Sequence, residues 1–344
     1  MSVIDLAPFG LAVGHATDHE GATGLTVVRG IDAPLRAAAA VIGRATGTRE
    51  FDALDPSHLV GRIDALVLTG GSAFGLDSAA GVMRWMEERG RGFAVGAGVV
   101  PIVPAAVVFD LAPLGRPDRR PTAEMAYDAA ERATSTGIAE GSVGAGTGAT
   151  VGKALGPVGA MKGGFGCHVA GDPARGLAVA AIAVVNAFGD VRDASGRIIA
   201  GARLPGGAFA DAHALVAAGS GPTGFRERAV GAPADAAGTN TTLCVVAVSR
   251  SFPRILLQQL ARAASAALYR RITPVGTSFD GDVIVALSPD TAAVAEPALV
   301  ETAAAEALAV EALENAVERA VRLAHGRDGV PGLADEAPER ARDG

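Results

Sequence analysis

Residues 176–191, GLAVAAIAVVNAFGDV, constrain this chain more than any other stretch. No polar side chain interrupts it from Leu177 to Val185. A strand with one wet face alternates apolar and polar residues; this one does not, so both of its faces must be covered. TTLCVVAVS (241–249) and DVIVALS (282–288) have the same character, and IDALVLTGG (63–71) reads as a buried strand ending in a glycine turn. Helical periodicity marks LDSAAGVMRWMEERG (76–90), AEMAYDAAERATSTG (123–137), FPRILLQQLARAASAALYRR (252–271) and PALVETAAAEALAVEALENAVERAVRLAH (297–325). Strands buried on both sides, with amphipathic helices left to cover them, imply a layered α/β or α+β body. Two sheets face to face between helix layers fit this pattern, and so does a doubly wound parallel sheet. From Gly326 the chain turns polar with Gly and Pro, which reads as a disordered tail over 326–344.

Composition narrows the function classes. A chain of 344 residues, 49% hydrophobic, can bury a large core. Its net charge is −7 with both signs scattered, so no basic stripe points to nucleic acid. Cys167 and Cys244 are the only cysteines, which is no disulfide framework and fits a reducing cytoplasm. The start, MSVIDLAPFGLAV, has no basic region of the secretory kind. The most apolar stretch, residues 94–109, is broken by Pro101 and Pro104 and is too short for a membrane helix. Of 30 basic Lys and Arg residues only Lys153 and Lys162 are lysines, leaving 30 − 2 = 28 arginines. Where Arg fills nearly every basic position, a retained Lys points to a place that suits a compact amine with a movable pKa rather than a planar fork.

Several familiar motifs fail on inspection. The glycine-dense stretch 141–166 contains Gly152-Lys153, but Ala154 follows and Thr147 stands five before Gly152, so it is no phosphate loop. Gly144, Gly146 and Ala149 give only the relaxed dinucleotide pattern, after a polar stretch rather than a strand. The stretch either walls an active site or is a tight loop crossing a sheet. His15 and His19, four apart in VGHATDHEGATG, read as two surface histidines with no further ligands nearby. Ser72 in GGSAFG lacks the glycine two residues on that a nucleophile elbow needs. Cys167 and His168 are adjacent and do not easily face one another.

GTNTTLCVVAVSR (238–250) carries more. Asn240 and Thr241 are explained by a turn leading into a strand. They are equally what a self-cleaving chain needs. An N-terminal Thr holds its nucleophile and its base on one residue, since an α-amine has an unperturbed pKa of about 7.7–8.0. To create that terminus the Thr241 hydroxyl must attack the Asn240 carbonyl, and Asn tolerates unusual backbone geometry cheaply. Downstream, Asp280 and Asp282 are two apart and share a face in extended chain. Buried together, their repulsion drives their pKa values apart and leaves one as a proton acceptor. A solvated D-G-D turn is the plainer reading of the pair alone.

Taken in order, GHATDHEGATGLTVV, GTRE, LTGGSAFGLDSAAGVMRWMEERGRGF, VPIVPAAVVFDL, GSVGAGTGATVGK, KGGFG, NTT and SFDGD resemble the self-processing N-terminal-nucleophile hydrolases. That family includes L-aminopeptidase/D-esterases, β-peptidyl aminopeptidases and 6-aminohexanoate (nylon) oligomer hydrolases. The resemblance spans roughly residues 10–290 and rests on the combination of motifs. It implies an α+β fold, a four-layer αββα sandwich of the kind shared with ornithine acetyltransferases. It also implies a single domain over 1–325 cleaved into an α chain, 1–240, and a β chain, 241–344. Thr241 matches the nucleophile and Asn240 the scissile side. Asp280 and Asp282 match the acidic pair of the nylon-oligomer branch. Asn186 in VVNAFG resembles the oxyanion-hole asparagine, and Lys162 in MKGGFG the lysine lining that site. No cofactor or metal is implied, the partner is a small peptide or amide, and a cytoplasmic homo-oligomer, a tetramer, is expected. In one respect the chain departs from the aminopeptidase members: VPIVPAAVVFDL has no acid before Asp110, where they carry a Glu for the substrate's free amine. This tilts the expected substrate towards amides without a nearby free amine. Acyl transfer of the ornithine acetyltransferase kind and a non-cleaving ligand-binding scaffold are the alternative functions.

Overall fold

The run at 176–191 forms the strand Ala178–Asn186, buried at every position. The computed structural model describes residues 4–174, 176–219, 240–290 and 297–336. Ala178–Asn186 pairs antiparallel with Gly164–Gly171 on one side and with Thr241–Val248 on the other. Thr241–Val248 runs parallel to Val283–Pro289, and Leu35–Val41 and Arg62–Ile63 complete this six-stranded sheet. The two-residue side-chain period divides the strands between two cores. Ala181, Ala183, Val185, Cys244, Val246, Ile284 and Ala286 face one way, against the helices Arg254–Arg271 and Leu299–Arg322. Ala180, Ile182, Val184, Leu243, Val245, Val283 and Val285 face the other way, against a second sheet. Each fully buried Val or Ile here contributes about 1.5–3 kcal/mol over an exposed one.

The second sheet orders its strands Leu11–Asp18, Thr23–Gly30, Ala65–Thr69, Ala105–Val107 and Thr48–Arg49. Its inner face gives Leu11, Val13, Val28, Leu66 and Leu68 to the core between the sheets. Its outer face gives Leu25, Val27, Ala65 and Val67 to the helices Ala79–Glu87 and Ala123–Glu131, which pack through Val82, Trp85, Met86, Ala126 and Ala129. The order of layers is therefore helix, sheet, sheet, helix. Most neighbouring strands are antiparallel, so the doubly wound alternative is excluded.

Three local expectations need correction. The stretch containing His15 is a strand rather than a surface turn, and His15 is largely buried, with its Nδ1 2.9 Å from Thr26 Oγ1 and its ring edge-on to Phe165. The second helix stops at Glu131, because Thr134 and Thr136 instead bridge to Val13 and Asp5 beside the second sheet. The tail is ordered through residue 336. Arg327 donates to the His19 carbonyl at 2.7 Å, Val330 packs with Ala22 and Leu114, and the Pro331 carbonyl accepts from the Lys162 amide at 2.9 Å. Polar composition hid a segment held by backbone bonds; residues 337–344 lie outside the described ones.

Deleting residues 326–344 should therefore be felt by the whole fold. It leaves the Lys162 N–H unpaired and uncovers the Val330 cluster, a loss of about 2 kcal/mol. The thermal midpoint should fall by about 3 °C. An unchanged midpoint in a melting experiment would mean that the segment holds nothing.

Candidate active site

Three distant segments meet at one end of the six-stranded sheet, and strand register brings them there. In the antiparallel pair, Asn186 at the end of its strand lies opposite Thr241 at the start of the next. In the parallel pair, Leu243 lies opposite Val283, so the residues just before each strand also run side by side. Asn240 thus bridges to Asp280, and the Gly281 N–H donates to the Asn240 carbonyl at 2.8 Å. The Thr241 hydroxyl donates to that same carbonyl oxygen at 2.6 Å.

The acidic pair is not a solvated turn. Asp280 and Asp282 are 2% and 1% exposed. Asp282 accepts from the Thr242 amide at 2.6 Å through Oδ1 and from the Gly276 amide at 3.2 Å through Oδ2. Burial, and then the neighbouring Asp280 charge, push its pKa up to about 7. Asp280 accepts from the Thr277 amide at 2.8 Å and the Thr277 hydroxyl at 2.7 Å. Burial raises its pKa too, opposed by the Thr277 bonds and the Lys153 charge. Between them Gly281 has no room for a side chain: a Cβ would sit 2.6 Å from the Ala45 carbonyl oxygen and 2.7 Å from Thr241 Oγ.

On the other side of Thr241, Asn186 is oriented by its partners. Its Oδ1 accepts from the Thr150 amide at 3.0 Å and from Lys153 Nζ at 2.8 Å, while its Nδ2 donates to the Phe109 carbonyl at 3.0 Å. Exchanging the two ends of the amide would set donors against donors. The glycine-dense stretch passes beneath: Gly148 lies so close to Asp110 that a Cβ would be 2.7 Å from that residue's own Cβ. Asp110 is fully buried, accepts from Thr23 Oγ1 at 2.6 Å and the Gly71 amide at 2.7 Å, and is raised to about 6 by burial.

Thr241, Asn240, Asp280, Asp282 and Asn186, all singled out from sequence, are thus brought together. Lys162 is placed differently from the expectation. Its Nζ donates to the carbonyls of Gly146, Thr147 and Ala149 at 3.3, 2.8 and 2.8 Å, so it holds the glycine-dense stretch from behind. The lysine that reaches Asn186 is Lys153, the last residue of GSVGAGTGATVGK, to which the resemblance attached no role. Its signal was compositional: it is one of two lysines among 28 arginines. Burial pushes both lysines down to about 7. Cys167 and Cys244 are buried thiols whose pKa values are driven upward by burial, so neither supplies a thiolate. Burial lowers His15 to about 4, leaving a neutral imidazole; among the described residues no group of three His, Cys, Asp or Glu could hold a metal.

Residues 2–333 match the sequence pattern of peptidase family S58. The chain belongs to that family. It is 39% identical over 310 residues to an uncharacterized aminopeptidase of Mycobacterium tuberculosis, covering 86% of this chain and 85% of that protein. It is 28% identical over 293 residues to the 6-aminohexanoate-oligomer endohydrolase of a Kocuria species, covering 82% and 73% of the two chains. Among solved structures, a Burkholderia β-aminopeptidase superposes with a TM-score of 0.66 at 20% identity, over 94% of this chain and 88% of that one. The L-aminopeptidase D-Ala-esterase/amidase of Ochrobactrum anthropi, described as a variant of the Ntn hydrolase fold, superposes with 0.67 at 19% identity, over 92% and 84%. This S58 peptidase is accordingly an amide-bond hydrolase with that α+β fold. No helix among the described residues is long and apolar enough to cross a membrane.

The gap at Gly281 supplies a direct test. Gly281→Ala forces Thr241 Oγ or the 45–46 backbone to shift, and a displacement of about 1 Å at a reacting group costs on the order of 10²-fold. Amide hydrolysis should fall by that factor with the far-UV circular dichroism kept. A wild-type rate would show that the hydroxyl does not depend on this gap.

Proposed function

We propose that this S58 peptidase is a self-processing amide hydrolase whose nucleophile is Thr241. The observation that carries the reading is the Asn240 carbonyl, whose oxygen accepts both the Thr241 hydroxyl and the Gly281 N–H. A nucleophile and an oxyanion donor thus converge on one peptide bond. In processing, Thr241 Oγ adds to the Asn240 carbonyl carbon and gives up its proton. Negative charge gathers on the carbonyl oxygen, towards Gly281 N–H. The C–N bond then breaks, the Thr241 nitrogen takes a proton, and an ester joins Asn240 to Thr241 Oγ. Water hydrolyses the ester to an Asn240 carboxylate and a free Thr241 α-amine.

In turnover, the new amine takes the proton from its own hydroxyl as Oγ attacks a substrate amide. Asp282, which already accepts from the Thr242 amide, supplies the negative charge beside that amine. Asn186, opposite Thr241 in the ladder, donates to the substrate oxyanion. The amine of the substrate leaves with the proton, and water releases the acyl group. Asp110 is committed to Thr23 and Gly71 inside the fold, so it is not offered to a substrate ammonium. This favours amides without an adjacent free amine, the kind of bond found inside an oligomer such as the 6-aminohexanoate chain on which the Kocuria relative is named.

Purified protein should show two chains, of 240 and 344 − 240 = 104 residues, by intact mass. Thr241→Ala should remain a single chain and be inactive. Thr241→Ser should process and retain reduced activity, because its χ1 is freer. A single full-length mass in fresh, folded wild-type protein would favour a binding scaffold instead, and turnover only in the presence of an amine acceptor would favour acyl transfer.

The pH profile tests the acidic pair. In the uncleaved chain Asp282 has a pKa raised to about 7, so its charged form appears as pH climbs through that value, and self-processing should speed up with it. Asp282→Asn should slow processing, hydrolysis or both on the order of tens-fold and abolish this step in the processing profile. Retention of both rate and step would remove Asp282 from the site.

A further inference from the structure

Asn186 is held twice by one side chain. One ammonium, Lys153 Nζ, donates both to its side-chain oxygen at 2.8 Å and to its backbone carbonyl at 3.1 Å. The grip has a short lever. The Gly152 and Lys153 amides donate to the Gly189 and Phe188 carbonyls at 3.0 and 2.9 Å, so Lys153 starts only two residues beyond the asparagine it turns back to hold. The Thr150 amide occupies the same Oδ1, and Phe109 receives Nδ2.

We infer that Lys153 is a positioning residue for catalysis: it locks the Asn186 amide so that Nδ2, the donor end, is turned away from the lysine, as its bond to the Phe109 carbonyl shows, and is the end left to meet a substrate oxyanion. An unlocked asparagine amide can rotate and present Oδ1, an acceptor, where charge develops, and that end repels an oxyanion. A lysine suits this task and an arginine does not. A compact ammonium can sit between two oxygens of one residue, whereas a planar guanidinium is longer and presents a rigid fork. That explains why this position keeps Lys in a chain with 28 arginines. Burial around the amine pushes it down to about 7, with the Asp280 and Asp110 charges acting in the opposite sense. Keeping a cation there at a cost to folding is understandable if the reaction uses it.

The inference rests on the reading of Asn186 as oxyanion donor, and the experiment separates the two. Hydrolysis of 6-aminohexanoate oligomers and of alanine p-nitroanilide is measured for wild type, Lys153→Met, Lys153→Ala, Lys153→Arg, Asn186→Ala and the double variant Lys153→Met/Asn186→Ala, on whichever probe the wild type turns over faster. Lys153→Met keeps the length and apolar fill of the stem, and thermal melts verify that each variant is folded. Loss of one oxyanion donor costs on the order of 10²–10³-fold in kcat, and loss of the group that aims it should cost about 10-fold or more, with KM changed by less than about threefold. The double variant should be within about threefold of Asn186→Ala alone, because residues acting as one unit are not additive. Ethylammonium added to Lys153→Ala should restore kcat, while Lys153→Arg should not. Equal fold losses from Lys153→Met in the presence and absence of Asn186 would overturn the inference, as would a wild-type kcat in Lys153→Met. If Asn186→Ala itself keeps the wild-type kcat, the positioning role falls with it. The Thr241 nucleophile stands or falls separately, on Thr241→Ala.

Discussion

Everything at the site depends on one cross-strand pairing, Asn186 opposite Thr241. The pairing is not set by the two residues themselves. It is set by the strands behind them, where Ala181, Ala183 and Val185 must face the long helices and Ala180, Ile182 and Val184 must face the second sheet. A slip of one residue would exchange these two sets and misfit both cores at once. The core therefore fixes the register, and the register fixes the relation of asparagine to threonine. The parallel partner does the same from the other side, by carrying Asp280–Asp282 past Asn240–Thr242. Functional residues at strand ends inherit the rigidity of the strands without occupying the core.

The site is costly for the fold near neutral pH. Lys153 and Lys162 have folded pKa values depressed to about 7 from 10.5, so their burial penalty is fully present below pH 7 and disappears only as pH rises from there towards 10.5. Asp282 is raised to about 7 from 3.8, so its penalty is absent below 3.8 and fully present above 7. Both kinds of penalty are therefore felt together around pH 7. Two lysines and the acids Asp110, Asp280 and Asp282 share one buried region, and their mutual attraction offsets part of the loss. Groups this close titrate as a set, and their steps belong to the cluster. Replacing such a cluster by apolar residues often stabilises a fold. On the proposed reading, the cluster serves chemistry at Thr241 rather than stability.

Much of this was legible in the sequence, for identifiable reasons. The unbroken apolar runs announced strands covered on both faces, but they fitted a doubly wound sheet as well as two packed sheets, and the four-layer expectation came from the resemblance. The order of the two sheets did not follow, because periodicity carries no information about which strand lies beside which. The N-terminal strand pair was missed because it is rich in Gly, His, Thr and Asp, residues that also build turns. Thr241, Asn240 and the aspartates were singled out because the proposed chemistry needs those residue types at that spacing, and the strand pairing brings them side by side. Lys162 was placed through a short motif and proved to hold the backbone of the glycine-dense stretch. Lys153 closes the motif GSVGAGTGATVGK, but nothing in that motif shows what its amine reaches. Its partner is 33 positions away in the chain, joined to it only through the pairing of Gly152 and Lys153 with Gly189 and Phe188.

On the proposed reading, one carbonyl-binding arrangement serves two reactions in turn, and the ladder explains how. Before cleavage the Asn240 carbonyl is the substrate, already held by Gly281 N–H. Cleavage removes the covalent link but not the strand: Thr241–Val248 remains paired on both sides through backbone bonds and buried between two cores. The new terminus is therefore created in place. Its hydroxyl still faces the gap at Gly281, and its amine forms next to Asp282. The entropy of assembling nucleophile, base and donors has been met by folding before any substrate arrives. A threonine suits this better than a serine, since its branched Cβ restricts χ1 in a strand that cannot shift to correct a misaimed hydroxyl.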